Sequence, residues 1–231
     1  MSSPSSPARR LRRLTCGTAL VLFPALLVVE GATDPAGGGS GGVFWTAATR
    51  HAGALTVSAL LLVASGILMA PAIAGLLHQA RDRGAALTDA GAVMGALGGA
   101  GHIGLGVLYV FMLSLKGGDR SQMTAYADRL GANPVVTAVF FPFLLLFGLS
   151  LVALSWGAWR AGLIGIWGPV VTTVVVVAHA VLPDGIPAVE WAGLLALAAV
   201  FGYLGIRVLR MADTEWAGAR PVTADSTPVA A

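Results

Sequence analysis

The side chains of this sequence that could do chemistry are few, and they sit where long apolar runs begin or end. Glu30 closes the first such run, and His51 opens the second beside Arg50. His179 lies near the end of the fifth run, with Asp184 and Glu190 flanking the turn PDGIP just beyond it. A carboxylate half-buried against an imidazole can act as general acid or base, because burial moves its proton affinity. Glu30, His179, Asp184 and Glu190 are therefore the candidate catalytic residues, converging with His51 on one polar mouth. The opposing reading is that each marks the point where a helix leaves an apolar medium, where polar groups are cheapest.

A second set lies deeper. The third apolar run reads DAGAVMGALGGAGHIGLGVLYVF. Gly91, Gly95 and Gly99 form a ridge at four-residue spacing, and Gly98, His102, Gly106 and Tyr109 continue an adjoining face. Small residues let helix backbones approach closely, so this run should be the most enclosed. His102 would then point into the interior and need a partner. Thr56, Ser58, Ser65, Thr172 and Thr173 are the hydroxyls that could supply one across a helix interface. Thr172 also shares a helix face with His179, seven residues on. His102, Thr172 and Tyr109 are the candidate ligand-binding residues.

Other chemistries find no footing. Cys16 is the single cysteine, which rules out an internal disulfide or a cysteine metal cluster. There is no H-E-x-x-H, no paired D-x-x-D and no phosphate-binding Gly-Lys loop. Haem in a helical bundle needs two level imidazoles. His102 and His179 differ in depth by about 5–12 Å from the helical rise, and only His51 and His179 could be level. No metal and no cofactor is expected.

The elements that must position these residues follow from composition. The chain has 231 residues, 56% hydrophobic and only 11% charged, with a mean hydropathy of +0.81. Soluble domains carry about 25% charged residues. A lipid-facing exterior removes that requirement. Six stretches reach the roughly 20 residues that a membrane helix needs: 14–31, 52–78, 89–115, 135–158, 162–182 and 188–209. In lipid, backbone polar groups must bond within their own segment, so these spans are helical. The expected fold is all-α, a polytopic six-helix transmembrane bundle over 14–210, with disordered cytoplasmic tails at 1–13 and 211–231.

Basic residues orient the bundle. Arg9, Arg10, Arg12, Arg13, Arg81, Arg83, Arg160, Arg207, Arg210 and Arg220 fall on one side, and Arg50, Lys116, Arg120 and Arg129 on the other. The positive-inside rule places the first side, and both termini, in the cytoplasm. The net charge of +3 is thus a topological signal directed at anionic headgroups, with no nucleic-acid partner implied. Trp45 and Trp191 mark the outer interface, and Trp156, Trp159 and Trp167 the inner one.

Among the connections, 36–42 (AGGGSGG) reads as a flexible linker. In the loop 117–134, Asp119 can cap a helix with Gln122 three residues on, and Gly131 can stop it. Met123, Tyr126 and Leu130 fall on one face. The spacing predicts a short outer surface helix over about 120–130, either a lid over a cavity or a simple connection. Pro24, Pro71, Pro142 and Pro169 fall inside spans, as kinks around a cavity or for packing. A three-plus-three inverted repeat fails, because Pro71 and Pro169 both lie near inner ends. The first span also has the layout of a signal peptide, although Glu30 and Asp34 occupy positions where a peptidase wants small residues.

In layout the chain resembles small, uncharacterised multi-pass membrane proteins of actinobacteria. An Arg-rich tail leads to an apolar span ending in Glu30, and Pro35 opens an outer loop; Ala, Gly and Val are abundant and Lys116 is the single lysine. That resemblance implies a location in the cell membrane and a helical fold. The expected function is binding or passage of a small apolar molecule, or partnership with another membrane protein or a second copy, since charges are missing at mid-membrane. The alternative is an intramembrane enzyme for a lipid or isoprenoid-like substrate. Membrane-bound terpene cyclases are similar in size and helicity, but their motifs are missing here.

Overall fold

The computed structural model describes residues 7–37, 39–81, 83–182 and 187–218. Among these, every regular element is helical: α1 (Pro7–Thr33), α2 (Gly41–Arg50), α3 (Ala52–Gln79), α4 (Ala85–Met112), a 3-10 turn (Leu113–Gly117), α5 (Arg120–Gly131), α6 (Pro134–Arg160), α7 (Trp167–Val181), α8 (Pro187–Arg210) and α9 (Asp213–Trp216). Five of them, α1, α3, α4, α6 and α8, are long and apolar enough to cross a membrane. Their outward stripes of exposed Leu, Val, Ile and Phe suit lipid, not water.

The long helices and α7 form a ring in chain order. α1 packs on α3 and α8, α4 on α3 and α6, and α7 lies between α6 and α8. Short connections join α3 to α4, α6 to α7 and α7 to α8, whereas α2, the 3-10 turn and α5 lie in the two longer ones. α4 is held on two sides, but its glycines do not form one ridge. A methyl group on Gly98 or Gly101 would strike Phe147 or Phe143 of α6, whereas one on Gly106 would strike the Ala59 carbonyl of α3. Gly99 approaches the Gly66 carbonyl of α3, and Gly95 lies between Ile73, Met69 and Ser150 of both neighbours. Rows at spacings of three and four diverge around a helix of 3.6 residues per turn, so one glycine-rich run serves two interfaces.

The segment expected to span 162–182 is helical only over Trp167–Val181, 15 residues. At about 1.5 Å per residue this helix is about 22 Å long, shorter than a hydrocarbon core of about 30 Å. The cause is local. Gly162 adopts φ +75°, with Leu163 N–H donating to the Ala158 carbonyl at 2.8 Å and Gly162 N–H to Trp159 at 2.9 Å. This Schellman arrangement ends α6 and delays the next helix. Pro169 consequently sits in the first turn of α7, where its missing N–H leaves nothing unpaired.

At one end of the bundle α5, the short helix expected over about 120–130, forms as its cap predicts: Asp119 accepts from Gln122 N–H at 3.1 Å. The linker reading of 36–42 needs correction, because Gly41 begins α2, an element without a strong apolar run. α2 and α5 pack on each other, with Ala47, Ala48 and Ala127 buried. Asp128 of α5 accepts from Gly41 N–H at 2.7 Å and satisfies an amide that the first turn of α2 leaves unpaired. Arg120 lies over the Trp45 ring, 5.2 Å from its centroid. The surface helix is therefore half of a two-helix cap.

At the opposite end the tail expected from residue 211 is folded as far as Gly218. α9 turns back beneath the bundle and buries Trp216. The Trp216 carbonyl bonds His78 Nε2 at 2.7 Å, and the two rings lie 4.4 Å apart. Arg13 pairs with Asp213 at 3.2 Å and also donates to the Leu209 carbonyl. Arg207 donates to the Leu163 carbonyl at 2.7 Å, tying α8 to the turn before α7. At the other terminus, the basic segment expected as tail already joins α1 from Pro7.

Candidate functional site

The last turn of α1 presents Glu30, Thr33 and Asp34 to α3 and α4. Thr33 Oγ1 and Ser58 Oγ of α3 are 3.2 Å apart. Asp34 stands just past the helix end, its amide bonded back to the Glu30 carbonyl at 2.8 Å. Its Oδ1 accepts from Ala36 N–H at 2.8 Å and its Oδ2 from Gly37 N–H at 3.0 Å. This Asx-type turn folds the chain over the bundle toward α2. Oδ2 also accepts from the Tyr109 hydroxyl at 2.9 Å. The buried Tyr109 ring meets the edge of Phe44 of α2, with centroids 5.6 Å apart.

Glu30 is one turn below Asp34, partly buried, and its charge acts on both Asp34 and Tyr109. Among the described residues no donor or cation bonds to its carboxylate. Two carboxylates and a phenol thus gather at the end of the bundle nearest α2, and the Asp34 carboxylate is committed to two amides and Tyr109. The Glu30 carboxylate is the acceptor left over.

His102 lies two turns deeper than Tyr109 on the same face of α4, about 10 Å along the axis. It is 8% exposed. Its ring packs edge-on to Phe147 of α6, with centroids 4.0 Å apart, and its Nδ1 is buried without a well-aligned partner. The Gly98 carbonyl one turn back acts on the ring outside good hydrogen-bond geometry. The expected bond from another helix does not form. Thr56, Ser65 and Thr172 donate to Ala52, Leu62 and Gly168 of their own helices at 2.8, 2.8 and 3.0 Å. Thr173 bonds Pro169 and accepts from Trp156 Nε1, and Ser58 faces Thr33. Serine and threonine satisfy themselves on the preceding turn at no loop entropy, and this outcompetes an interhelical partner.

Of the seven candidate residues, the structure brings Glu30 and Tyr109 into one cluster and places His102 beneath it. Thr172 is fully buried and fills space between helices. His179 is exposed near the end of α7 and Glu190 near the start of α8, with His179 Nδ1 near Gly193 of α8. The hydrogen bonds among Thr33, Asp34, Ser58 and Tyr109 are made within α1, α3, α4 and the turn after α1. Asp184 lies outside the described residues. Among those residues no three His, Cys, Asp or Glu side chains are grouped to hold a metal ion. No protein family, no curated protein and no solved structure matches this chain.

Sequence reasoning missed Asp34 and Thr33, and offered Ser58 to His102 where it meets Thr33 instead. The signal for Asp34 was present: it follows Glu30 by four residues and opens D-P-A-G, a turn-forming sequence. Its pairing with Tyr109, 75 residues away, had no local signal.

Proposed function

We propose that this protein is a six-span cell-membrane protein, with both termini cytoplasmic, that binds a small and mostly apolar molecule from the outer side. The head of the ligand, a cation or a hydrogen-bond donor, pairs with Glu30 below the Asp34–Tyr109 bond. The apolar body extends toward His102. α7 and the buried Leu163–Ile164 turn before it together serve as the fifth crossing, which keeps the ten-to-four distribution of basic residues on the cytoplasmic side.

The observation that carries this reading is the partly buried Glu30 carboxylate with no donor, in surroundings where an uncompensated charge is expensive. A ligand head supplies the missing partner. Turnover finds less support. An acid–base enzyme needs two groups free to act on one atom, and the second carboxylate of this cluster is already engaged.

The test is thermal unfolding of the purified chain in detergent with dodecylamine, dodecanol and dodecanoate. Dodecylamine should raise Tm most and dodecanoate least, and Glu30→Gln should abolish the advantage of the amine. Equal shifts from all three compounds, or an amine effect that survives Glu30→Gln, would refute the assignment.

A further inference from the structure

At the end of the bundle where α1 begins and α9 lies, the start of α4 is seated against the last turn of α6. Gly84 makes this approach possible. Its φ is +83°, and a Cβ there would lie 3.1 Å from Cβ of Arg160 and closer still to the Gly157 carbonyl. Arg160, which ends α6, and Arg83, just before α4, both border this contact. Between them opens a groove of about 850 Å³, walled by Arg83, Gly84, Ala85, Trp159 and Arg160.

Two guanidinium groups therefore share one groove. Among the described residues neither has an acidic partner. The ion pair at this end is Arg13–Asp213, Arg81 bonds His78, and Asp89 is exposed on the second turn of α4 without joining either arginine. Like charges lining one groove repel, and an anion bound among them turns repulsion into attraction. Guanidinium matches phosphate oxygens two at a time. Trp159 is 37% exposed on the groove wall, and its ring meets Trp156 edge-on with centroids 5.4 Å apart. Exposed indoles at the end of a membrane helix sit at headgroup depth, so the groove lies where lipid phosphates lie. Basic pockets between membrane helices on the cytoplasmic side hold anionic headgroups.

We infer that the groove between Arg83 and Arg160 binds the phosphate of an anionic phospholipid headgroup. The site is separate from the Glu30 cluster at the other end of the bundle and does not depend on the function proposed for it. Ala85 and Ala86, which begin α4, line the same groove, and recognition rests on the two arginines.

The test is native mass spectrometry of the full chain, released from detergent with phosphatidylglycerol or phosphatidylcholine. The wild type should retain phosphatidylglycerol in preference to phosphatidylcholine. Arg83→Gln with Arg160→Gln should weaken that retention about tenfold or more, and Lys116→Gln with Arg129→Gln at the opposite end should leave it within about twofold. Arg83→Lys with Arg160→Lys keeps the charge that orients the chain but loses the paired geometry, so it should fall between the two. Millimolar inorganic phosphate distinguishes the sources: a lipid held by its headgroup and chains stays bound, whereas displacement keeps the site and assigns it to a soluble phosphate. Retention unchanged in the double Gln variant, or equal retention of both lipids by the wild type, would overturn the inference.

Discussion

Gly98→Ala is the substitution whose effect the geometry specifies best. A methyl group at this position would lie 2.6 Å from Phe147 Cα, 2.8 Å from its Cβ and 2.8 Å from its backbone nitrogen. Carbon atoms rest about 3.5–4.0 Å apart, so α6 has to retreat by about 1 Å. Two of the three obstructing atoms are backbone and cannot rotate away. A gap of that size forfeits up to about half of each contact along the seam. Overpacking of this kind costs about 1–3 kcal/mol, and Gly98→Ala belongs at the upper end, near 3 kcal/mol. Two companions calibrate it. Gly104→Ala meets only the ring edge of Phe140, at 3.2 Å, and should cost less than about 1 kcal/mol. Gly202→Ala meets nothing within 4 Å and should be neutral or stabilising by about 0.5–1 kcal/mol. Equilibrium unfolding in mixed SDS micelles, followed by circular dichroism, ranks the three. The reasoning fails if Gly98→Ala lies within about 0.5 kcal/mol of wild type, or if adding Phe147→Ala restores stability, which would place the clash in the side chain.

Other variants probe the polar groups. Tyr109→Phe removes the donor to Asp34 and should lower stability by about 1.5–3 kcal/mol in the same unfolding assay; no loss would mean that water replaces the phenol. His102→Leu removes a buried polar atom that has no aligned partner. It should therefore leave stability unchanged or raise it by about 1 kcal/mol while weakening the dodecylamine shift; a strongly destabilised variant would show that the imidazole is bonded after all. Trp216→Ala empties the contact on His78 and should cost about 3 kcal/mol, with faster proteolysis of the segment after Arg210 as the readout. Single cysteines at Gly162 and Leu182, introduced with Cys16→Ser, should label from opposite sides of intact cells and inverted vesicles; labelling from one side would remove α7 from the set of crossings.

Much of the architecture is legible from one dimension. Hydropathy is a sum over about 20 neighbouring residues, so the long helices appear in the sequence without knowledge of their partners. Local caps are equally visible: Asp119 with Gln122 three residues on predicts the start of α5, and the amide bond is there. α2 was not legible, because its ten residues carry no apolar run and its first turn is held by Asp128, 87 positions away. Nor was the shortening of α7, since the left-handed Gly162 that causes it looks like any other glycine in an apolar stretch.

The candidate site divides along the same line. Glu30, His102 and Tyr109 are conspicuous in the sequence because polar groups in apolar runs are expensive wherever they sit. Their partners are another matter. The Tyr109 phenol reaches Asp34 across 75 residues, the threonines and Ser65 expected to serve His102 bond their own helices while Ser58 meets Thr33 of α1, and among the described residues Glu30 is left without a donor. The sequence by itself determined the five helices long and apolar enough to cross a membrane, since hydropathy and backbone satisfaction are settled within each segment. Only the packing of the ring decided which polar side chains are paired and which are left over, because that depends on the faces that distant helices turn toward each other.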